Sequence, residues 1–276
     1  MSKRYQARFE KLQQANQKAF MPFTVLGWPN KDKSLSIIKT MLSSNASALE
    51  LGFPFSDPVA DGPVIAKAAF ETLESGFKTA DCFALIREVR KLDEAIPIGV
   101  LVYYNVVLAT GVESFFKQAK AAGIDGVLIA DLPIESAEEV LPYAKANDVD
   151  LIFIVSPVTT DERLQRIATS AGGFIYLVSR LGVTGTDKSA SNLSNLGGLI
   201  SRLKALTKLP VCAGFGVSSK QTSSALLELG VDGVIVGSRV IEIARQSDHC
   251  EIDLAKLFKE LHESCCELRA PADAKK

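Results

Sequence analysis

The sequence predicts an α/β chain that closes eight parallel strands into a barrel, and three observations carry that expectation. Short apolar runs rich in β-branched residues recur eight times. Most of the intervals between them carry apolar residues at helical spacing. Two helix-to-strand junctions share one punctuation, AAGIDG at residues 121–126 and ELGVDG at 228–233. Runs that are nearly continuous in hydrophobicity suit a parallel sheet covered on both faces, and their alternation with helices implies right-handed βαβ units. In the shared junction a glycine ends the helix and Asp-Gly turns the chain into the next strand. Eight such units in about 250 residues make a TIM (β/α)8 barrel. A doubly wound open sheet is the runner-up, but no G-x-G-x-x-G follows the first strand.

In chain order, a polar segment of helical pattern at residues 3–14 precedes the first strand at 21–26. The other strands are expected at 47–53, 96–102, 126–130, 151–155, 174–178, 210–213 and 233–236. Helical spacing is read at 33–42, 112–121, 137–146, 161–171, 196–206 and 220–229. An amphipathic helix at 253–268 follows the last strand. Residues 1–268 therefore read as one barrel domain with an extra N-terminal helix and a C-terminal helix, and 269–276 as a frayed polar tail.

A hydrophobic content of 47% in 276 residues is ample for a large core. The net charge of −1 gives no electrostatic reason to expect nucleic acid or an anionic membrane as partner. No apolar run approaches the ~20 residues of a membrane span, and the chain is expected to be cytoplasmic. The five cysteines, Cys82, Cys212, Cys250, Cys265 and Cys266, form no C-x-x-C pair, and the two histidines, His249 and His262, lie far from every motif. A disulfide framework, a metal site and a histidine-activated nucleophile are all unexpected.

In this architecture chemistry belongs at the C-terminal ends of the strands. After the second strand the chain reads ELGFPFSDPVADGP, residues 50–63. Glu50 interrupts the apolar run of Ala48, Leu49 and Leu51, where an unpaired carboxylate is costly. Asp61 falls in the following loop, so the two can be aimed into one cavity as an acid–base pair. The bland alternatives are an ion pair inside the barrel for Glu50, and turns or helix caps for Asp57 and Asp61. Residues 179–192 form a long, polar, glycine-punctuated stretch. It reads as a lid, as a disordered surface insertion, or as backbone able to approach an anion at Gly182 and Gly185. Gly214-Phe215-Gly216 and Gly237-Ser238-Arg239 follow the last two strands. They offer backbone N–H groups and a hydroxyl to phosphate, with Ser238 also placed to cap the final helix. Tyr103 and Tyr104 read as pocket aromatics or as core residues with a wet hydroxyl, and Asp131 as a turn residue or an anchor.

Together the stretches LELGFPFSDPVADGP, LVYYN, IADLP, SRLGVTG, GFGVS and GVIVGSRVI closely resemble the tryptophan synthase alpha subunit family, from about residue 20 to about residue 243. The resemblance implies a barrel that cleaves indole-3-glycerol phosphate to indole and glyceraldehyde 3-phosphate without a cofactor of its own. It also implies a beta-subunit partner carrying pyridoxal phosphate, which receives indole through a tunnel in an α2β2 heterotetramer. By motif position Glu50 is the general acid–base that protonates indole C3 and takes the C3′ hydroxyl proton. Asp61 holds the indole N–H and the positive charge that develops there. Phosphate falls to Gly185, Gly216, Gly237 and Ser238. Phe23, Leu101, Leu128 and Phe215 line the indole, with Tyr103 beside them. Tyr176 lies near the glutamate, and Thr184 closes over substrate to reach Asp61. Pro54, Asp57 and the helix after Gly62 face the beta subunit.

The chain departs from the family pattern at Trp28, Leu181 and Arg239, none of them in the acid–base pair. Three rival functions remain: a stand-alone lyase releasing free indole, a barrel that has lost catalysis and serves only as a partner, and some other phosphate-binding barrel. The carboxylate pair opposes the second. The third has no account of SDPVADGP.

Overall fold

The computed structural model describes residues 1–178, 190–214 and 216–267, the side chains of 190–195 excepted. Its strands are β1 (Ala19–Val25), β2 (Leu49–Gly52), β3 (Ile98–Val102), β4 (Gly126–Ile129), β5 (Asp150–Val155), β6 (Ile175–Val178), β7 (Val211–Gly214) and β8 (Gly233–Val236). They close in chain order, each parallel to its neighbour, with β8 pairing back onto β1. The helices are α1 (Lys3–Gln14), α2 (Lys31–Ser43), α3 (Pro63–Glu74), α4 (Thr79–Leu92), α5 (Tyr104–Thr110), α6 (Val112–Ala122), α7 (Leu141–Ala146), α8 (Asp161–Ser170), α9 (Ala190–Leu206), α10 (Lys220–Glu228), α11 (Ser238–Gln246) and α12 (Cys250–Cys266). This is the TIM barrel expected, with the extra helices at both ends.

Three elements differ from expectation. α4 occupies a stretch with no expected helix, although its buried Cys82, Phe83, Leu85, Ile86 and Val89 have the spacing of an amphipathic face. α5 is seven residues, YNVVLAT, whose β-branched pair imitates a strand. The helix expected at 137–146 is two pieces, a 3-10 turn at Ile134–Glu139 and then α7. Pro142 lacks the N–H that a continuous helix would use there. The tail expected at 269–276 lies outside the described residues.

The lower mouth of the barrel is closed by the N-terminal helix. Tyr5 of α1 is 1% exposed and meets Phe174 edge-on at 5.8 Å. Gly99 and Gly126 are register partners on β3 and β4. A Cβ on Gly99 would lie 2.6 Å from the Tyr5 hydroxyl, and one on Gly126 would lie 3.1 Å from its ring, so these strands need glycine to admit the plug. The Asp-Gly junctions also have a second function. Asp125 accepts from the Ile98 amide at 2.9 Å, Arg90 at 2.8 Å and Arg4 at 3.1 Å. Asp232 accepts from the Val211 amide at 3.1 Å, Lys18 at 3.1 Å and Lys204 at 2.9 Å. Each aspartate thus satisfies the first amide of the strand preceding its own, where the ladder leaves a donor over. Among the described residues no helix is long and apolar enough to cross a membrane.

Candidate active site

With the bottom plugged, the open end of the barrel is the one that β2 presents to the loop at residues 53–62. Glu50 on β2 is 4% exposed, in register with Phe23 of β1 and Gly99 of β3. Register partners on parallel strands share a face. Among the described residues no cationic group pairs with Glu50, which removes the internal ion-pair reading. Burial, and then the charge of Asp61, push its carboxyl up to about 8.

Asp61 is not a helix cap. Gly62 is the N-cap of α3, with no side-chain cap, and Pro63 opens the helix where its missing N–H costs nothing. Instead the Tyr103 hydroxyl donates to Asp61 Oδ2 at 2.8 Å and accepts from the Ala60 amide at 3.1 Å. The Tyr103 ring stacks on Phe55, centroids 5.0 Å apart and planes 20° apart. One side chain at the end of β3 therefore holds the loop and its carboxylate. Burial raises Asp61 to about 6, with the Tyr103 hydrogen bond acting the other way. Burial and the Asp61 charge push the Tyr103 hydroxyl up, so it stays a donor. Burial thus favours the neutral form of Glu50 more strongly than that of Asp61.

Phe23 and Leu128 are buried, and Leu101, in register with Gly52 and Leu128, is half-buried. Tyr176 on β6 is 6% exposed. Its hydroxyl lies where a Cβ on Gly214 would be, so β7 requires glycine there. Burial, then the charges of Glu50 and Asp61, hold that hydroxyl protonated, so Tyr176 lies within electrostatic reach of both carboxyls. Gly237 is the N-cap of α11, and a Cβ on it would lie 3.0 Å from Phe23 Cδ1 and 3.5 Å from Ile65 Cδ1. Ser238, expected to cap this helix, is instead its exposed first residue, free to turn its hydroxyl outward with the first-turn amides. Gly216, at φ +82°, is exposed in the loop after β7. Thr184, Gly185, Phe215 and residues 179–189 of the expected lid lie outside the described residues.

Asp131 is an anchor, accepting the Tyr104 amide at 2.7 Å and tying the loop after β4 to the start of α5. Pro54 is buried, while Asp57 is exposed and accepts the Ser56 hydroxyl. Val59, Leu108 and Val158 are 76%, 49% and 71% exposed on the connections that leave β2, β3 and β5. Sequence reading did not pair Tyr103 with Asp61 and passed over Ile65. Both depend on residues far apart in the chain, 42 positions for the tyrosine and aspartate, that only strand register brings together.

The sequence profile of the family described as tryptophan synthase alpha chain matches residues 9–269. The chain is 47% identical over 234 residues to the tryptophan synthase alpha chain of Methanothermobacter thermautotrophicus, covering 85% of this chain and 86% of that one. It is 44% identical over 246 residues to that of Proteus mirabilis, covering 89% and 91%. Among solved structures, tryptophan synthase subunit alpha from Legionella pneumophila superimposes with a TM-score of 0.87 at 29% identity, over 97% of this chain and 100% of that one. A chain of the tryptophan synthase complex from Pyrococcus furiosus gives 0.80 at 33% identity, over 89% and 98%. The profile match over most of the chain and the identity of these relatives lead to one conclusion: the chain belongs to the tryptophan synthase alpha chain family.

Proposed function

We propose that this chain is the alpha subunit of tryptophan synthase and cleaves indole-3-glycerol phosphate to indole and glyceraldehyde 3-phosphate by a retro-aldol reaction. The observation that carries the reading is the carboxyl pair itself, Glu50 buried on β2 and Asp61 held in the next loop by the Tyr103 hydroxyl at 2.8 Å, with burial raising Glu50 further than Asp61. Cleaving the bond between indole C3 and the glycerol chain requires a proton on C3 and removal of the C3′ hydroxyl proton. Neutral Glu50 donates to C3, and positive charge develops on the indole nitrogen. The Asp61 carboxylate, held by Tyr103, accepts the indole N–H and stabilises that charge. The Glu50 carboxylate then takes the C3′ hydroxyl proton, the C–C bond breaks toward the ring, and glutamic acid is regenerated. Protons balance within the cycle, so the chemistry asks for no cofactor.

Phe23, Leu101, Leu128 and Phe215 supply apolar surface for the indole, with Tyr176 beside Glu50 and Thr184 closing toward Asp61. The N-terminus of α11 at Gly237 and Ser238, with the backbone at Gly185 and Gly216, suits a phosphate. Exposed Val59, Leu108 and Val158, on the same end of the barrel as Pro54 and Asp57, favour a docked partner over a stand-alone lyase. That partner is the beta subunit with its pyridoxal phosphate, in an α2β2 assembly that keeps indole inside, and the reading makes the chain a cytoplasmic biosynthetic enzyme.

The test is indole release from indole-3-glycerol phosphate by the purified chain, with and without a beta subunit. Weak activity that rises strongly with the partner is expected, and Glu50→Gln should lower kcat ~10²–10⁴-fold. Unchanged turnover in Glu50→Gln sinks the acid–base assignment, and full activity alone points to the stand-alone lyase.

A further inference from the structure

Behind the site, Trp28 joins a second cluster that links three elements. Trp28 follows β1, is 2% exposed, and its Nε1 donates to Glu71 Oε2 at 2.8 Å. Arg245 grips the same carboxylate with two bonds, Nη1 to Oε1 at 2.7 Å and Nη2 to Oε2 at 2.8 Å. Its guanidinium carbon lies 5.2 Å from the Trp28 ring centroid. The pair lies at the surface, its side chains 31% and 34% exposed, and what sets it apart is the two-bond geometry over the buried Trp28 ring. A bidentate arginine stacked on an aromatic face fixes orientation as well as distance.

Glu71 belongs to α3, which begins two residues after Asp61, and Arg245 belongs to α11, which begins at Ser238. The two helices pack together. At their site ends they are joined through Ile65, Gly237 and Phe23. At their far ends they are joined by the cluster. Eight residues of helix separate Gly237 from Arg245, roughly 12 Å, so a tilt of about 5° at the far end moves the near end by about 1 Å. A misplacement of that size is enough to weaken a preorganised site.

We propose that Trp28, Glu71 and Arg245 form a clamp that positions the phosphate-binding start of α11 against the Asp61 loop, with Glu71 and Arg245 as positioning residues. The proposal rests on the assignment of Gly237 and Ser238 to phosphate made above. It also gives Trp28, a departure from the family pattern, a function in this chain.

A purely stabilising cluster would lower the melting temperature and leave phosphate affinity alone. Calorimetric titration of the isolated chain with glycerol 3-phosphate, the substrate without its indole, reads the cradle independently of the chemistry. Arg245→Met should weaken binding about 3–10-fold, with the far-UV circular dichroism of a folded barrel and, with the beta subunit present, a kcat at saturating substrate within about twofold of the parent. Arg245→Lys, which keeps a cation beside Glu71 and the Trp28 ring while losing the bidentate grip, should lose less affinity than Arg245→Met. Arg163→Met, which removes an equally bidentate pair between Arg163 of α8 and Glu135 of the preceding 3-10 turn, should leave it unchanged. Should Arg245→Met not fold, Trp28→Phe keeps a buried ring, loses the N–H bond, and should weaken binding about 2–3-fold. Parent-like affinity in the clamp variants, or a loss in Arg245→Lys as large as in Arg245→Met, overturns the clamp. Tight probe binding and a clamp effect without indole release would overturn the lyase reading and leave the clamp standing. No binding of the probe by the parent chain would overturn the clamp, because there would be no cradle to position.

Discussion

Burial acts on Glu50 and Asp61 in the same direction but to different extents, and the Tyr103 hydroxyl widens the gap by favouring the ionised form of Asp61 alone. On the proposed mechanism, activity is expected between about 6 and about 8, the values to which burial raises Asp61 and Glu50. A bell-shaped profile of kcat/KM follows, its limbs belonging to the coupled pair. Tyr103→Phe removes a bond that lowers the Asp61 value, so its acidic limb should move to higher pH; an unmoved limb would mean that the hydroxyl does not tune Asp61. Stability has the opposite pH dependence. Both folded-state values are raised, so the folded chain holds these protons to higher pH than the unfolded chain does. The stability is fully present below the ordinary carboxylate range and is lost as pH rises to about 8. Glu50→Gln should consequently melt higher than the parent chain at pH 8 while losing activity, the trade expected where function requires a buried acid.

At the scale of the elements, the aspartate of each Asp-Gly junction is a strand cap as well as a turn residue. Asp125, 3% exposed, holds the Ile98 amide and two arginines. Asp125→Ala would leave the Arg90 guanidinium and a strand amide without their acceptor, and should cost about 3–5 kcal/mol in a denaturant titration. A loss under about 1 kcal/mol, the range of an exposed pair, would show that water replaces the carboxylate. The junction was legible because Gly and Asp-Gly have local conformational meanings. The strand to which the carboxylate would bond was not, because Asp125 and Ile98 are 27 positions apart. α5 was illegible for a related reason: its Val-Val pair favours a strand, and Asp131 from the next loop holds the amide at the start of the helix.

For the whole molecule, plugging one mouth with Tyr5 leaves the other to the loops, and three exposed apolar residues, Val59, Leu108 and Val158, lie on connections that leave β2, β3 and β5. Leu108→Ser and Val158→Ser together should lower the ratio of indole formation with and without the beta subunit. A ratio equal to that of the parent chain would move the docking surface elsewhere.

The sequence by itself determined the eight-stranded barrel, because strand and helix periodicity and the glycine junctions are local properties of the chain. It also singled out Glu50, since a carboxylate inside an apolar strand needs a reason, and it supplied the motifs that identify the family. It left open whether Asp61 is a cap or a reactive group, whether Tyr103 is core or site, and what Trp28 does. Tertiary structure alone showed that Asp61 is not the cap of α3, that Tyr103 bonds it, and that Trp28 meets Glu71 and Arg245. Register sets Tyr103 against Asp61 across 42 positions, and helix packing sets Arg245 against Glu71 across 174. A carboxylate takes its protonation state from the groups that surround it in space, and barrel closure chooses those groups from distant parts of the chain.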